Sequence, residues 1–255
     1  MNRLQKILAI RNRLRNAEVS LGSWMQLPDA SVAEIMGRAG YDWIAVDLEH
    51  GSIGRHQLPD LFRALELGGT LPLARLSNGS ATACKSALDA GAGGVIVPMI
   101  ESAEQVQRAV QACRWPPAGT RGVGFSRANL FGEDFETYLR EAQEPLLVAQ
   151  IEHVRALESL EAILKSPGLD AIMIGPYDLS ASLGLTAQFE HPEFKQVLAR
   201  IRDAARTCGV PSGVHVVAPD RDALGAAVKS GHRFIAYGID AVFLAKSSHA
   251  VPVRP

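Results

Sequence analysis

Glu152 closes the apolar run Leu146–Ile151, and Asp178 follows a second run, Ala171–Ile174, across the turn Gly175-Pro176-Tyr177. Two carboxylates just past the ends of two buried strands are costly unless each finds a cation or a hydrogen-bond donor. A divalent metal held between them accounts for both. A hard ion such as Mg2+ takes one or two protein carboxylates and completes its shell with water and substrate oxygens. That leaves open positions for a bidentate 2-oxo acid, whose ketone the ion would polarise so as to stabilise an enolate. Arg75, ending Leu73-Ala74-Arg75, can neutralise the same oxyanion or clamp a carboxylate. His50, in Asp47-Leu48-Glu49-His50-Gly51, is the natural general base at neutral pH, with Asp47 placed to orient its ring.

Each residue alone has a plainer reading. Glu152 can favour the start of the next helix, and Asp178 can be the N-cap of a short one. Arg75 can be a structural partner of Glu49 or Asp47, and His50 a loop residue. His153 reads as an exposed helix position, and His56, His191, His232 and His249 form no ligand pair at metal spacing. Lys85, Lys165, Lys195 and Lys229 fall in predicted helices, which leaves Lys246 as the one candidate for a Schiff base. A metal-dependent route is favoured over a covalent amine. The clusters Gly91–Gly94 and Gly119–Gly124 match neither a P-loop nor a dinucleotide fingerprint.

Four functional residues at four strand ends need a fold that gathers strand ends. Eight short apolar runs recur, near Val19–Met25, Trp43–Asp47, Pro72–Leu76, Gly94–Pro98, Leu146–Glu152, Asp170–Ile174, Ser212–Val216 and Phe234–Tyr237. Their nearly unbroken apolar character suits parallel strands covered on both faces. Between them lie segments of helical period, two opening on predicted capping boxes, Ser31–Glu34 and Ser102–Gln105. The repeat predicts an α/β fold, a single eight-stranded (β/α)8 TIM barrel with an N-terminal helix, over residues 1–255. Two insertions, one from Trp115 to Arg127 and one from Leu179 to Phe189, are expected to wall the pocket at the carboxyl ends of the strands. Arg121 and Arg127 in the first are candidates for holding an acidic group of a substrate.

The 255 residues are 47% hydrophobic and 21% charged, with a net charge of −1, which predicts no nucleic-acid or anionic-membrane partner. No apolar run approaches a membrane span. Cys84, Cys113 and Cys208 read as reduced packing residues. With no secretory signal at the start, a cytoplasmic location is expected.

The chain resembles the HpcH/HpaI family of metal-dependent pyruvate aldolases. The matching segments run from Asp42 to His50, Leu88 to Pro98, Pro116 to Gly124, Gln150 to Glu152 and Ile174 to Ser180, within a likeness from about Leu21 to Leu244. The resemblance implies a class II aldolase on a barrel of the phosphoenolpyruvate/pyruvate type. It implies Mg2+ or Mn2+, with Co2+ as a further candidate, on Glu152 and Asp178. His50 assisted by Asp47 would be the acid/base and Arg75 the residue stabilising the enolate. Substrate would also meet Gln150 and the backbone around Pro176, Tyr177 and Asp178, with Asp89 near the pocket mouth. Pyruvate and an aldehyde, joined or cleaved as a 4-hydroxy-2-oxo acid through a metal-bound enolate, are the expected small-molecule partners. The family also implies a homo-oligomer, a hexamer built as a trimer of dimers with exchanged C-terminal helices. Tyr177 departs from the small residue common there, and His153 from the usual Thr. After Tyr237 only eighteen residues remain, so an exchanged helix would be short. A condensing synthase or oxaloacetate decarboxylase using the same enolate is the alternative, and a non-catalytic ligand-binding barrel a more distant one.

Overall fold

The computed structural model describes residues 1–249. Eight parallel strands close into a barrel in sequence order. They are β1 (Ser20–Met25), β2 (Trp43–Asp47), β3 (Leu71–Arg75), β4 (Gly94–Val97), β5 (Leu146–Ile151), β6 (Ala171–Ile174), β7 (Ser212–Val216) and β8 (Phe234–Ile239). The expected fold is the one formed, down to all eight predicted strands. Around them lie α2 (Ala30–Gly37), α3 (Leu58–Gly68), α4 (Ala81–Asp89), α5 (Ala103–Cys113), α6 (Phe135–Glu141), α7 (Leu160–Leu164), α8 (Pro176–Ser182), α9 (Pro192–Thr207) and α10 (Arg221–Lys229). The first helix, α1 (Arg3–Arg15), precedes the barrel, and α11 (Asp240–Ser248) follows it.

Strand side chains alternate between two cores. Ile44, Val46, Val95, Val97, Leu147 and Ala149 pack outward against the helices. Trp43, Leu71, Leu73, Val148, Met173 and Phe234 fill the barrel, where Trp43 stacks on Phe234 with ring centroids 4.1 Å apart. Ile7, Ile10 and Leu14 of α1 join that inner core and plug the amino-terminal end. Arg11 fixes the plug through Asp170, at 2.7 Å, and the carbonyl of Pro145.

The helix starts show one difference from expectation. Ser102 and Gln105 form the predicted capping box. At α2, however, the cap is Asp29, which accepts from the backbone N–H of Ser31 and Val32. A carboxylate two residues earlier satisfies those donors better than the Ser31 hydroxyl. None of the described helices is long and apolar enough to cross a membrane. Of the eighteen residues after Tyr237, the last six, 250–255, lie outside the described residues.

Candidate active site

The inward positions at the carboxyl ends of the strands carry polar groups. Register places Asp47 opposite Arg75, Gln150 opposite Met173 and His215 opposite Ala236. Trp24, Gln26, Asp47, His50, Arg75, Gln150, the turn from Gly175 to Asp178, and His215 line one cavity of about 410 Å³.

Asp47 is the hub of its floor. Its Oδ2 accepts from the Trp24 indole at 3.0 Å and from Gln26 Nε2 at 3.1 Å. Its Oδ1 accepts from the backbone N–H of Glu49 at 2.9 Å and of His50 at 3.1 Å, and from Arg75 Nη1 at 3.3 Å. Burial opposes ionisation here, but Gln26, the Glu49 amide, Trp24 and Arg75 outweigh it and hold the carboxyl below its usual range. Asp47 therefore shapes the β2 turn through the backbone of His50. It does not orient the His50 ring as expected, because its lone pairs are already taken. His50 itself is exposed at the mouth of the cavity.

Arg75 is buried, with 2% of its surface exposed, and ion-paired to both Asp47 and Glu49. Its Nε remains a buried donor with no partner in the protein. The structural pairing of Arg75 is thus present, with one donor left over. Glu152 is 1% exposed and accepts from the Met99 backbone N–H at 2.7 Å and from Gln150 Nε2. Burial raises its carboxyl above the usual range; the Met99 amide and Arg75 oppose that, while Asp178 and Glu49 add repulsion. It caps no helix: the next turn is capped by His153, whose Nδ1 accepts from the Arg155 backbone N–H at 3.1 Å. Asp178 is likewise no N-cap. Gly175 takes that place, and Asp178 sits exposed in the first turn of α8.

Asp47, Glu49, Glu152 and Asp178 set four carboxyl groups against the single guanidinium of Arg75. That donor set fits a divalent cation. No cluster of three or more His, Cys, Asp or Glu closes on a metal among the described residues. Glu152 and Asp178 would serve as two protein ligands, with water or substrate oxygens completing the shell. No lysine lines the cavity. Lys246 lies exposed on α11.

Three candidates lie elsewhere in this chain. Arg127 pairs with Glu66 and bonds the Ala90 carbonyl, at the opposite end of the barrel. Arg121 is sandwiched against Trp115 and Tyr138 and donates to the Tyr138 hydroxyl at 2.9 Å. Asp89 ends α4, paired with Lys85, with Arg121 Nη1 at 3.9 Å. These side chains pack between the outer helices and the first insertion, so a distance along the chain from strand end to loop misplaced them. The second insertion does reach the cavity: Tyr177, 58% exposed, stands at its mouth with its ring edge-on to Phe189 of that insertion. Trp24, Gln26, Glu49, Gly175 and His215 are site residues that the sequence reading assigned no role there. The signal for Trp24 and His215 was their inward parity on β1 and β7.

A profile of the HpcH/HpaI aldolase/citrate lyase family matches residues 20–247. The chain is 36% identical over 249 residues to the hydroxypyruvate/pyruvate aldolase of Roseobacter denitrificans, covering 94% of each. It is 37% identical over 233 residues to the 2-keto-3-deoxy-L-rhamnonate aldolase of Escherichia coli K12, covering 90% of this chain and 86% of that one. The crystal structure of an HpcH/HpaI aldolase/citrate lyase family protein from Burkholderia cenocepacia superposes with a TM-score of 0.88 at 32% identity, over 94% of this chain and 96% of that one. With its barrel, its strand-end carboxylates and its matches over nearly the whole length, the chain belongs to the HpcH/HpaI aldolase/citrate lyase family.

Proposed function

We propose that this carbon–carbon lyase is a divalent-metal-dependent class II aldolase that joins or cleaves a 2-oxo acid enolate and an aldehyde. The observation that carries the reading is the convergence of His50, Arg75 and Asp178 on one cavity, with Glu152 directly against its Gly175 wall. Bound between Glu152 and Asp178, Mg2+, Mn2+ or Co2+ would supply Lewis-acid polarisation of the ketone.

The chain's own residues then have distinct tasks. The free Nε–H of Arg75 meets oxygen charge that develops on the 2-oxo acid, at the buried floor of the cavity. Its other nitrogens are held by Asp47 and Glu49, so the fork cannot swing away. The first amides of α8, at Tyr177 and Asp178, have no carbonyl one turn back and suit the substrate carboxylate. His50 stands at the mouth, where the 4-hydroxyl of a 4-hydroxy-2-oxo acid would lie. It takes that proton in cleavage, the aldehyde departs, and the enolate is reprotonated. Gln150 fixes Glu152 from the side.

In solution we propose a homo-oligomer, the hexamer that the family resemblance implied. Val123, Phe125 and Phe131 of the first insertion are 55%, 74% and 68% exposed and would be covered by another copy. Light scattering tests the assembly. The chemistry is tested by following loss of the pyruvate methyl protons to D2O as metal is titrated in. Exchange should require metal and vanish in Glu152→Ala and Asp178→Ala. Full exchange in excess chelator would refute the reading, and carbon dioxide release from oxaloacetate without aldol cleavage would favour the decarboxylase.

A further inference from the structure

The side chain of Tyr177 stands open at the cavity mouth, and the chemistry above gives a task only to its backbone amide. The ring is nevertheless held. The buried hydroxyl of Ser180 donates to the Tyr177 carbonyl at 2.8 Å and accepts from the backbone N–H of Ala187 at 3.0 Å. A second bond, from the Leu185 N–H to the Ser180 carbonyl at 2.9 Å, closes the same loop. Together they clasp the second insertion to the first turn of α8. Ala187 adopts φ +58° there, a left-handed backbone that alanine keeps only when its surroundings impose it. Phe189, two residues on, meets the Tyr177 ring edge to face, with centroids 5.0 Å apart and planes at 86°. Phe189 is in turn tilted on Phe194, 1% exposed, with centroids 5.6 Å apart. A chain of three rings therefore runs from the buried start of α9 to the rim. It ends on Tyr177, which is 58% exposed.

Rigid apolar area at a rim acts on whatever lies across it. The aldehyde carbon becomes C4 of the product, and its oxygen becomes the 4-hydroxyl that His50 serves at the mouth. The substituent on that carbon then lies outside the floor, where Trp24, Asp47, Arg75 and Met173 are at most 5% exposed. The Tyr177 ring stands beside it, and an apolar substituent laid on that ring removes the exposed surface of both from water. A charged tail finds no partner in the same place. Among the described residues that line the cavity, the guanidinium of Arg75 is tied to Asp47 and Glu49, and no lysine is present. Arg121 and Arg127, the cations of the first insertion, are engaged by Tyr138 and Glu66 elsewhere.

Resting on the aldolase reading, we propose that Tyr177 is a specificity-determining residue whose pinned ring selects an uncharged aldehyde with an aromatic or bulky apolar tail. In the addition direction C3 of the enolate bonds to the aldehyde carbon and the carbonyl oxygen takes a proton from His50, so the tail itself undergoes no chemistry. Three acceptors with the same two-methylene spacer isolate the tail: hydrocinnamaldehyde, butanal and succinic semialdehyde, which end in a phenyl, a methyl and a carboxylate. With the Mn2+-loaded protein and saturating pyruvate, kcat/KM for product formation should rank in that order. In Tyr177→Ala the hydrocinnamaldehyde-to-butanal ratio falls roughly 10-fold. Tyr177→Phe keeps the ratio, since the ring and not the hydroxyl makes the contact. Phe189→Ala, which frees the ring, lowers it part of the way. A wild type that prefers succinic semialdehyde overturns the proposal. So does a Tyr177→Ala ratio that stays level or rises, which would make the ring a barrier. Metal-dependent exchange of pyruvate protons into D2O, measured on the same protein without aldehyde, separates the two readings. Exchange with the wrong acceptor ranking removes the role of Tyr177 alone, and absence of exchange removes the aldolase reading and this proposal with it.

Discussion

Gly175→Ala is a one-methyl test of the whole site. Gly175 lies at φ −95°, ψ 93°, where alanine is comfortable, so the substitution carries no backbone penalty. A Cβ there would fall 2.6 Å from Glu152 Oε2, 2.8 Å from Glu152 Cβ and 3.0 Å from Gln150 Nε2. Ordinary contact begins at 3.4 Å, so the carboxylate must shift. It cannot shift freely, because the Met99 amide and Gln150 hold its two oxygens. A displacement of roughly 0.5 Å exceeds what a productive metal constellation tolerates. The expected result is a loss of about 100-fold in metal-dependent turnover, with metal affinity lowered at least 10-fold. Overpacking should cost about 1–3 kcal/mol of stability. Metal affinity is read by calorimetry and folding by urea denaturation. A Gly175→Ala protein that binds Mn2+ and exchanges pyruvate protons like wild type would refute the placement of Glu152 beside this turn as the metal ligand.

The other predictions concern the floor beneath that turn and two histidines of the barrel. Arg75→Lys should lose roughly 100-fold in kcat, since a point charge cannot hold Asp47 and Glu49 and still direct a third donor at substrate; near-normal kcat would contradict this. Asp47→Asn places an amide against donors and should destabilise the protein by about 3 kcal/mol at neutral pH. The folded pKa of Asp47 is depressed, so its contribution is complete above its unfolded value near ~3.9 and is lost as pH falls through the folded one. Asp47→Asn should therefore unfold at neutral pH more easily than wild type but show less further loss below about pH 4; parallel stability curves would count against the charge as the cause. His215 and His232 are both held down to about 4, His215 by burial and His232 by burial together with Arg202 and Arg233. The unfolded chain takes up their protons near ~6.5, so stability is full above that pH and declines as pH falls toward 4. The decline is on the order of 3 kcal/mol per histidine, and urea midpoints that stay level over this range would be incompatible with it.

The barrel was legible because it is written in short-range pattern. Runs such as Trp43–Asp47 and Leu146–Ile151 are apolar on both faces, and only a strand covered from two sides asks for that. The gathering of Arg75 and Glu152 at one end of the barrel was legible for a related reason: they are charged residues abutting such runs, and their burial demanded partners. Arg121, Arg127 and Asp89 were misplaced because their positions depend on side chains remote in sequence. Glu66 draws Arg127 to the far end of the barrel, and Tyr138 with Trp115 holds Arg121 between outer elements. The path of a long loop is set by such contacts, and no local period encodes them.

Parity along a strand carries further than those loops do. Within β7, Gly213 and His215 alternate with Ser212 and Val214, and the neighbouring residues Met173 on β6 and Phe234 on β8 fix Gly213 as inward. His215 must then face the barrel axis, one step nearer the carboxyl end, at the level where Arg75 and Gln150 face it from β3 and β5. A neutral imidazole in that ring of positions is a polar group in a place that leucine or valine would fill at lower cost. The Gly238 carbonyl offsets one of its nitrogens, and the stack on Trp24 holds the ring in place.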